Sequence, residues 1–394
     1  MSILSVNAGS SSLKFSLYPL AQQQVQAQIL SGNIEGLEPG GSPEMRWTFQ
    51  GQSHSRHLDL GTEQVFARAL SRLRELLAAL PDIPVMQAVV HRVVHGGAQY
   101  RASVLVTEAV LADLTQLISL APLHQPANLE GIRAFAQAFA GLPQVACFDT
   151  AFHATLPEVD YRYALPEVLY QQGLRRYGFH GLSYQYVMGV LQQGSSRGND
   201  RVLMAHLGNG ASLCAARAGR SCATSMGFSA LDGLMMGTRP GSLDSGVLLY
   251  LMEQGWDHDR LQRLLYKQSG LLGVSGVSAD MRRLRADTSP GARLAVDMFA
   301  YRVARESGAL VACLQGLDVL AFSGGIGEHD VALRTELGQR LAWLGVQIDP
   351  VRNAQATADQ VMSIHAPGSS VEVWVVPTDE GVVAAREAAR LLHP

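Results

Sequence analysis

The sequence predicts a duplicated α/β fold. One unit, strand then small polar loop then strand, occurs twice at an offset of 200 residues. Between and after the two copies, short apolar runs alternate with stretches of helical periodicity, the pattern of an α/β chain. Several of those apolar runs end in glycine clusters or carboxylates.

The elements follow in chain order. Residues 3–6 are apolar, NAGSSS fills 7–12, and then Leu13, Phe15 and Leu17 alternate with Lys14 and Ser16. Period two marks a half-buried strand, so this stretch reads as a hairpin. Residues 202–216, VLMAHLGNGASLCAA, repeat it: Ser12-Leu13 falls on Ser212-Leu213, and Gly9-Ser10 on Asn209-Gly210. Neither loop is a Walker A sequence. Small side chains at such a tip let backbone N–H groups reach an anion. The Gln-rich stretch 22–28 reads as an exposed hairpin edge. Residues 63–80 space their apolar residues helically, as do 292–316 and 380–392. AVVHRVVHGG at 88–97 is a strand ending in a glycine pair, and PQVACFD at 143–149 is a strand ending in Asp149. LDVLAFSGGIGE at 317–328 is a strand, a glycine cluster and then a helical pattern through Leu333, Leu337, Leu341 and Leu344. VEVWVVPTDE at 371–380 ends in Asp379 and Glu380. The polar stretches 38–43 and 194–200 are loops. Carboxylates at strand ends, opposite phosphate-binding loops, suit a nucleotide–Mg²⁺ enzyme.

Bulk properties narrow the class. With 394 residues, two domains are expected, and 47% hydrophobic residues supply their cores. There are 31 basic and 34 acidic residues, net −3, which points away from a nucleic-acid partner. The one dense basic run, MRRLR at 281–285, reads as a solvated face. The four cysteines form no CxxC; Cys147 and Cys313 read as small core residues, and a reducing cytosol is expected. The opening MSILSVN has no signal-peptide pattern, and no apolar run reaches the ~18 residues of a membrane span. Glycine stands out at 39 residues, clustered after apolar runs where the backbone must approach something closely.

These motifs together resemble the acetate kinase family. NAGSSS with Lys14, HRVVHGG at 91–97, FDTAFH at 148–153, YGFHG at 177–181, HLGNGAS at 206–212, GLMMGTR at 233–239, SGGIGE at 323–328 and PTDEG at 377–381 stand in the family's order across nearly the whole chain. The resemblance implies two duplicated ribonuclease H-like domains of the actin, Hsp70 and hexokinase kind, with the active site in the cleft between them. The domains would be 1–149 with 383–394, and 150–382. The implied reaction is acetate + ATP ⇌ acetyl phosphate + ADP by direct in-line transfer, in a cytoplasmic homodimer.

Such a transfer asks for positioning and charge stabilisation. Arg92 and Arg239 sit in apolar or glycine-rich segments, where a guanidinium fork is placed to bind carboxylate or phosphate oxygens. By resemblance His180 contacts the transferred phosphoryl group. Asn7 and Glu380 anchor Mg²⁺, with Mn²⁺ an acceptable substitute, and Lys14 lies on the phosphate side. The family assigns Asp149 as acid/base. A short carboxylic acid is already ionised at neutral pH, so Asp149 is expected to orient an arginine or a metal-bound water. The resemblance puts ATP on His206, Leu207, Gly208, Asn209 and Gly210, on Asp280, Met281 and Arg282, and on Gly324, Gly325, Ile326, Gly327 and Glu328. Acetate would lie among Val94, Leu123, Phe179 and Ala230, with Arg92.

The chain departs from the family pattern at three places. The triplet TPL reads Ser229-Ala230-Leu231 here, which predicts a roomier pocket that also takes propionate; one methylene is worth only ~1–3 kcal/mol of discrimination. GTRxGDxDPG reads GTRPGSLDSG, with Ser242 for an acid and Ser245 for a proline. YGFHGTSH reads YGFHGLSY, with Leu182 and Tyr184. Within the same fold a sugar kinase would want a base and a polar pocket. An ATP-driven binding module would want an appended peptide domain or a polymerisation surface. A dinucleotide oxidoreductase would want GxGxxG in an early βαβ unit.

Overall fold

The structure is a computed structural model that describes every residue except Ser10, Leu123 and Pro394. It divides into two compact units: Met1–Ala151 with Asp379–Pro394, and Phe152–Thr378. The sequence expectation puts the divisions at 149/150 and 382/383.

The first unit holds β1 (Ser2–Ala8), β2 (Ser12–Ala21), β3 (Gln24–Val25), β4 (Leu30–Glu35), β5 (Glu44–Phe49), β6 (Gln52–His57), β7 (Met86–Val93), β8 (Val104–Leu105) and β9 (Gln144–Phe148). They form one sheet in the order β6-β5-β4-β2-β1-β7-β9-β8, with β3 on β2. β1 and β2 pair antiparallel with Asn7 opposite Lys14. β7 runs parallel to β1, and β9 parallel to β7. In β2, Leu13, Phe15 and Leu17 are buried while Lys14 is exposed, as the period-two pattern predicts. The Gln-rich segment turns at Gln22 and Gln23, both with positive φ, into β3.

The second unit holds β10 (Val202–Leu207), β11 (Ala211–Arg217), β12 (Arg220–Thr224), β13 (Val319–Ser323), β14 (Met362–Ser363) and β15 (Glu372–Val375), in the order β12-β11-β10-β13-β15-β14. β10 and β11 are again an antiparallel hairpin, and β13 and β15 run parallel beside β10. So β4-β2-β1-β7-β9 in one unit matches β12-β11-β10-β13-β15 in the other: three antiparallel strands, then two parallel to the first. The repeat seen in the two loops is therefore a repeat of whole sheets.

Helices cover the sheets because their apolar residues recur every three or four positions. Val65–Ala79 buries Ala69, Leu70, Leu73 and Leu77. Glu380–Leu392 buries Val382, Ala385 and Ala389 and packs on β1 and β7. Pro290–Leu314 starts at a Ser289 cap with proline in its first turn, and ends at Gln315 in the left-handed conformation. Its buried stripe runs through Phe299, Val303, Leu310 and Leu314 against β11. Cys147 is buried in β9 as expected, but Cys313 is exposed. It lies on this long helix, off the stripe, so apolar neighbours in sequence do not make it a core residue. In MRRLR, Arg282, Arg283 and Arg285 face outward while Met281 and Leu284 are buried. Among the described residues no helix is long and apolar enough to cross a membrane.

Candidate active site

In the first unit the parallel strands β1, β7 and β9 end side by side. Ligands of α/β sheets bind beyond such carboxyl ends. Arg92, next to last in β7, donates from Nε to Asp149 Oδ1 at 2.9 Å and from Nη2 to Asp149 Oδ2 at 2.7 Å. Asp149 follows β9, and its N–H is bonded to the Val93 carbonyl. Glu380, in the first turn of the last helix, brings Oε2 to 3.5 Å from Arg92 Nε. Burial opposes the charge on Arg92, but Asp149 and Glu380 outweigh it and raise its pKa. Burial pushes the Asp149 carboxyl up, and Arg92 pulls against that shift. A bidentate fork on a buried carboxylate is the strong form of this contact, and it fixes the plane of the Arg92 guanidinium.

Asn7 and Lys14, as cross-strand partners, share one face at the mouth of the first hairpin. Val94, after β7, is half-buried and donates its N–H to Asn128 Oδ1 at 3.0 Å. The Asn128 amide also donates to the Ala8 carbonyl at 2.9 Å. Asn128 thus ties the ends of β1 and β7 together. Sequence reasoning missed it, and no local pattern marks it. Leu123 lies outside the described residues.

In the second unit His180 and Arg239 converge. His180 takes left-handed backbone angles, φ 59°, just before the helix Gly181–Gly194. For a residue with a side chain this is an uncommon conformation, of the kind that clusters at functional sites. Its Nδ1 lies 2.8 Å from Ser212 Oγ on β11. Its ring lies 4.4 Å from that of His206 at a tilt of 31°, and His206 Nδ1 is 2.7 Å from Ser183 Oγ. Arg239 is held by a bond from Nη1 to the Ala230 carbonyl, 2.8 Å. A methyl group placed on Gly210 would sit 2.8 Å from Arg239 Nη2 and 3.3 Å from His180 Nε2. Only glycine at the hairpin tip lets both side chains come in over the loop. Among the described residues Arg239 has no carboxylate partner. Burial lowers its pKa, and the neighbouring Tyr266 works the other way. Phe179 is buried, with its carbonyl accepting from His153 Nε2 at 2.9 Å; Ala230 is half-buried.

A cavity of about 810 Å³ opens in the same unit. Gly208 and Asn209 from the hairpin tip, Asp280, Met281 and Arg282, and Gly325 and Ile326 line it. Its size suits a nucleotide. Five further lining residues were not expected from sequence: Ala279, Arg285, His329, Asp330 and Val331. Arg285 and Asp330 pair across its rim at 3.1 Å, a contact between residues 45 apart that no local motif signals. Asp280 caps the helix Met281–Ala286 by accepting from Arg282 N. Hydrogen bonds from the Arg282 side chain and backbone hold its pKa down to about 2.

The remaining expected nucleotide residues do not line this cavity. His206, Leu207 and Gly210 lie along the hairpin, and Lys14 belongs to the first unit. Gly324, φ +73°, packs so closely on Leu207 that a Cβ would strike its backbone. Its N–H donates to Glu328 Oε1 at 2.8 Å, and the same oxygen accepts from Thr378 N at 3.2 Å. Glu328 is thus turned back onto the chain. Gly327 is buried against Ala205 and Leu207.

Residues 2–386 match the acetokinase family. The chain is 47% identical to the acetate kinase of Rhodopseudomonas palustris (strain ATCC BAA-98 / CGA009), over 99% of this chain and 98% of that protein. It is 45% identical to the acetate kinase of Nitrobacter hamburgensis, covering 99% and 96%. Among solved structures it resembles a propionate kinase from Francisella tularensis, with TM-score 0.89, 35% identity and 98% of both chains covered. The acetate kinase of Porphyromonas gingivalis gives TM-score 0.88 and 37% identity over 99% of both chains. By sequence and by fold, this chain belongs to the acetokinase family.

Proposed function

We propose that the protein transfers a phosphoryl group reversibly between ATP and acetate, giving acetyl phosphate and ADP. The observation that carries this reading is Arg239: a half-buried cation without a carboxylate partner among the described residues, meeting His180 over the backbone of a glycine loop. A transferred phosphoryl group spreads negative charge over its equatorial oxygens, and donors fixed in a water-poor site stabilise such charge without reorganising. Arg239 and His180 are the donors to that group. Arg92, aligned by Asp149, holds the acetate carboxylate. Asp149 acts by orientation, because acetate needs no base at neutral pH. ATP lies in the second unit's cavity, lined by Gly208, Asn209, Asp280, Met281, Arg282, Gly325 and Ile326, with the rest of the 206–210 hairpin toward its phosphates; Lys14 is the phosphate-side cation of the first unit.

Among the described residues no cluster of three or more His, Cys, Asp or Glu could cage a metal ion. A nucleotide-borne Mg²⁺ needs no such cage, since it keeps several waters and takes only one or two protein groups. Asn7 and Glu380 have the right donor chemistry, an amide oxygen and a carboxylate whose nearest arginine nitrogen is 3.5 Å away. Mg²⁺, or Mn²⁺ in its place, would be held by these two and would neutralise phosphate charge. By the family pattern Val94 in the first unit, and Phe179 and Ala230 in the second, would meet the acyl group, and propionate is a second substrate. A cytoplasmic homodimer is part of the same reading. In its favour, the apolar helix Ser245–Glu253 buries none of its residues and exposes Val247, Leu249, Tyr250 and Met252.

The test is initial rates with Mg²⁺ and ATP against formate, acetate, propionate and butyrate, trapping acyl phosphate with hydroxylamine, with Arg239→Ala as control. Acetyl hydroxamate from the wild type, lost in the control, is the expected result. ATP consumption without acyl phosphate from any acid would overturn the proposal.

A further inference from the structure

We propose that Tyr184 sets the tautomer of His180: acting through the Ser212 hydroxyl, it keeps the imidazole proton on Nε2, the nitrogen that faces Gly210 and Arg239. The inference deepens the phosphoryl-transfer reading and rests on it for its consequence.

Tyr184 lies one helical turn after His180 and is wholly buried. Its hydroxyl is within hydrogen-bonding distance of Ser212 Oγ, and Ser212 Oγ is 2.8 Å from His180 Nδ1. Each hydroxyl in this chain has one proton to give. Among the described residues Ser212 Oγ is the one hydrogen-bond partner of the buried Tyr184 hydroxyl. The phenol therefore gives its proton to Ser212. Ser212, having accepted, gives its proton to His180 Nδ1. A neutral imidazole that accepts at Nδ1 carries its proton on Nε2. The opposite direction of the chain would leave the buried phenol proton without an acceptor in a site sealed from water, which is costly.

The geometry at the other nitrogen gives this a purpose. The space over Gly210 is bounded by His180 Nε2 and Arg239 Nη2, so a proton on Nε2 points where Arg239 points. The family pattern has histidine at 184. An imidazole there can be turned to either role, whereas a buried phenol with one partner satisfies its proton only by donating. Burial also raises the Tyr184 pKa well above its ordinary value, so the proton stays in place across the working pH range. Tyr184 is thus a positioning residue for His180.

The experiment uses the full-length protein labelled with ¹⁵N-histidine. Two-bond ¹⁵N–¹H correlations report the tautomer of each ring, and the His180 signals are assigned by their loss in His180→Asn. The expected wild-type pattern is a neutral ring protonated on Nε2. Tyr184→Phe, and separately Ser212→Ala, should give a mixed tautomer. kcat should fall about ten-fold, as for one lost hydrogen bond, with KM for ATP and acetate held within roughly two-fold. A wild-type His180 protonated on Nδ1, or an unchanged tautomer in both variants, would overturn the inference. A wild type that shows the Nε2 tautomer but makes no acyl phosphate would refute the proposed reaction and leave the hydrogen-bond chain standing.

Discussion

Gly210→Ala is the sharpest perturbation of the proposed site. The backbone at 210 is outside the left-handed region, so alanine brings no conformational strain of its own. The strain falls on two side chains. The new methyl would stand 2.8 Å from Arg239 Nη2 and 3.3 Å from His180 Nε2, where ordinary contact begins at 3.4 Å. Arg239 must retreat by about 0.6 Å, and its other nitrogen is tethered to the Ala230 carbonyl at 2.8 Å. The guanidinium therefore swings about that tether. A misplacement on the order of 1 Å costs ~100-fold in rate, so kcat should fall by roughly that factor. Nucleotide affinity should change little, because Gly210 does not line the 810 Å³ cavity. Stability should drop by no more than ~1 kcal/mol, since the displaced groups are side-chain tips. The assay is hydroxamate-trapped acetyl phosphate over a range of acetate, with ADP affinity by calorimetry and a melting curve on the same sample. Gly189→Ala is the control: no atom lies within 4 Å of a Cβ there, and alanine inside the helix Gly181–Gly194 should stabilise by ~0.5–1 kcal/mol. A Gly210→Ala enzyme with wild-type kcat would refute the convergence of Arg239 and His180 on the reacting group.

Three more predictions rest on buried polar groups. His91, His95 and His153 are each depressed from 6.5 to about 4, by burial above all. Their folded pKa values lie below the unfolded one, so the unfolded chain takes up protons first as pH falls from 6.5 toward 4. Stability is full above that window and is lost within it, by ~3 kcal/mol per histidine. Urea unfolding from about pH 7 to about pH 4.5 should show the slope, and His91→Gln should flatten it; equal slopes in the two proteins would contradict the assignment. Asp149→Asn replaces the bidentate carboxylate with a single neutral amide oxygen, and Glu380 Oε2 at 3.5 Å becomes the nearest charge to Arg92. Stability should fall by ~1–3 kcal/mol, less than for a fully buried pair because Arg92 is partly exposed, and kcat/KM for acetate by ~100-fold or more. An Asp149→Asn enzyme with unchanged acetate kinetics would exclude the orienting role. Arg334 is wholly buried, with its pKa pulled down to about 10 by burial. It donates to the carbonyls of Gly327, Glu328, Asn353 and Ala356. Arg334→Met should cost ~3–5 kcal/mol by orphaning those carbonyls. KM for ATP should also rise, because the helix Gly324–His329 carries Gly325, Ile326 and His329 into the cavity wall; wild-type KM in a folded variant would separate Arg334 from the nucleotide site.

The sequence by itself determined the two hairpins, because alternation in Leu13, Phe15 and Leu17 and the small residues at the tips are local facts. It determined the long helices for the same reason, and it marked Arg92, Arg239 and Asp149 through their chemistry and their neighbours, and His180 through its resemblance to a family motif. Tertiary structure alone decided what those groups touch. Asn128 reaches the carbonyl of Ala8 across 120 positions, and Arg285 meets Asp330 across 45. Arg334 is buried among carbonyls from two separate segments, at 327–328 and 353–356, and Glu328 turns from the cavity to accept from Gly324 and Thr378. Cys313 faces solvent although its sequence neighbours are apolar, because helix phase and not composition sets its side. Periodicity and residue type act within a few residues. Which donor meets which acceptor depends on sheet order and register, and those are set by packing between segments far apart in the chain.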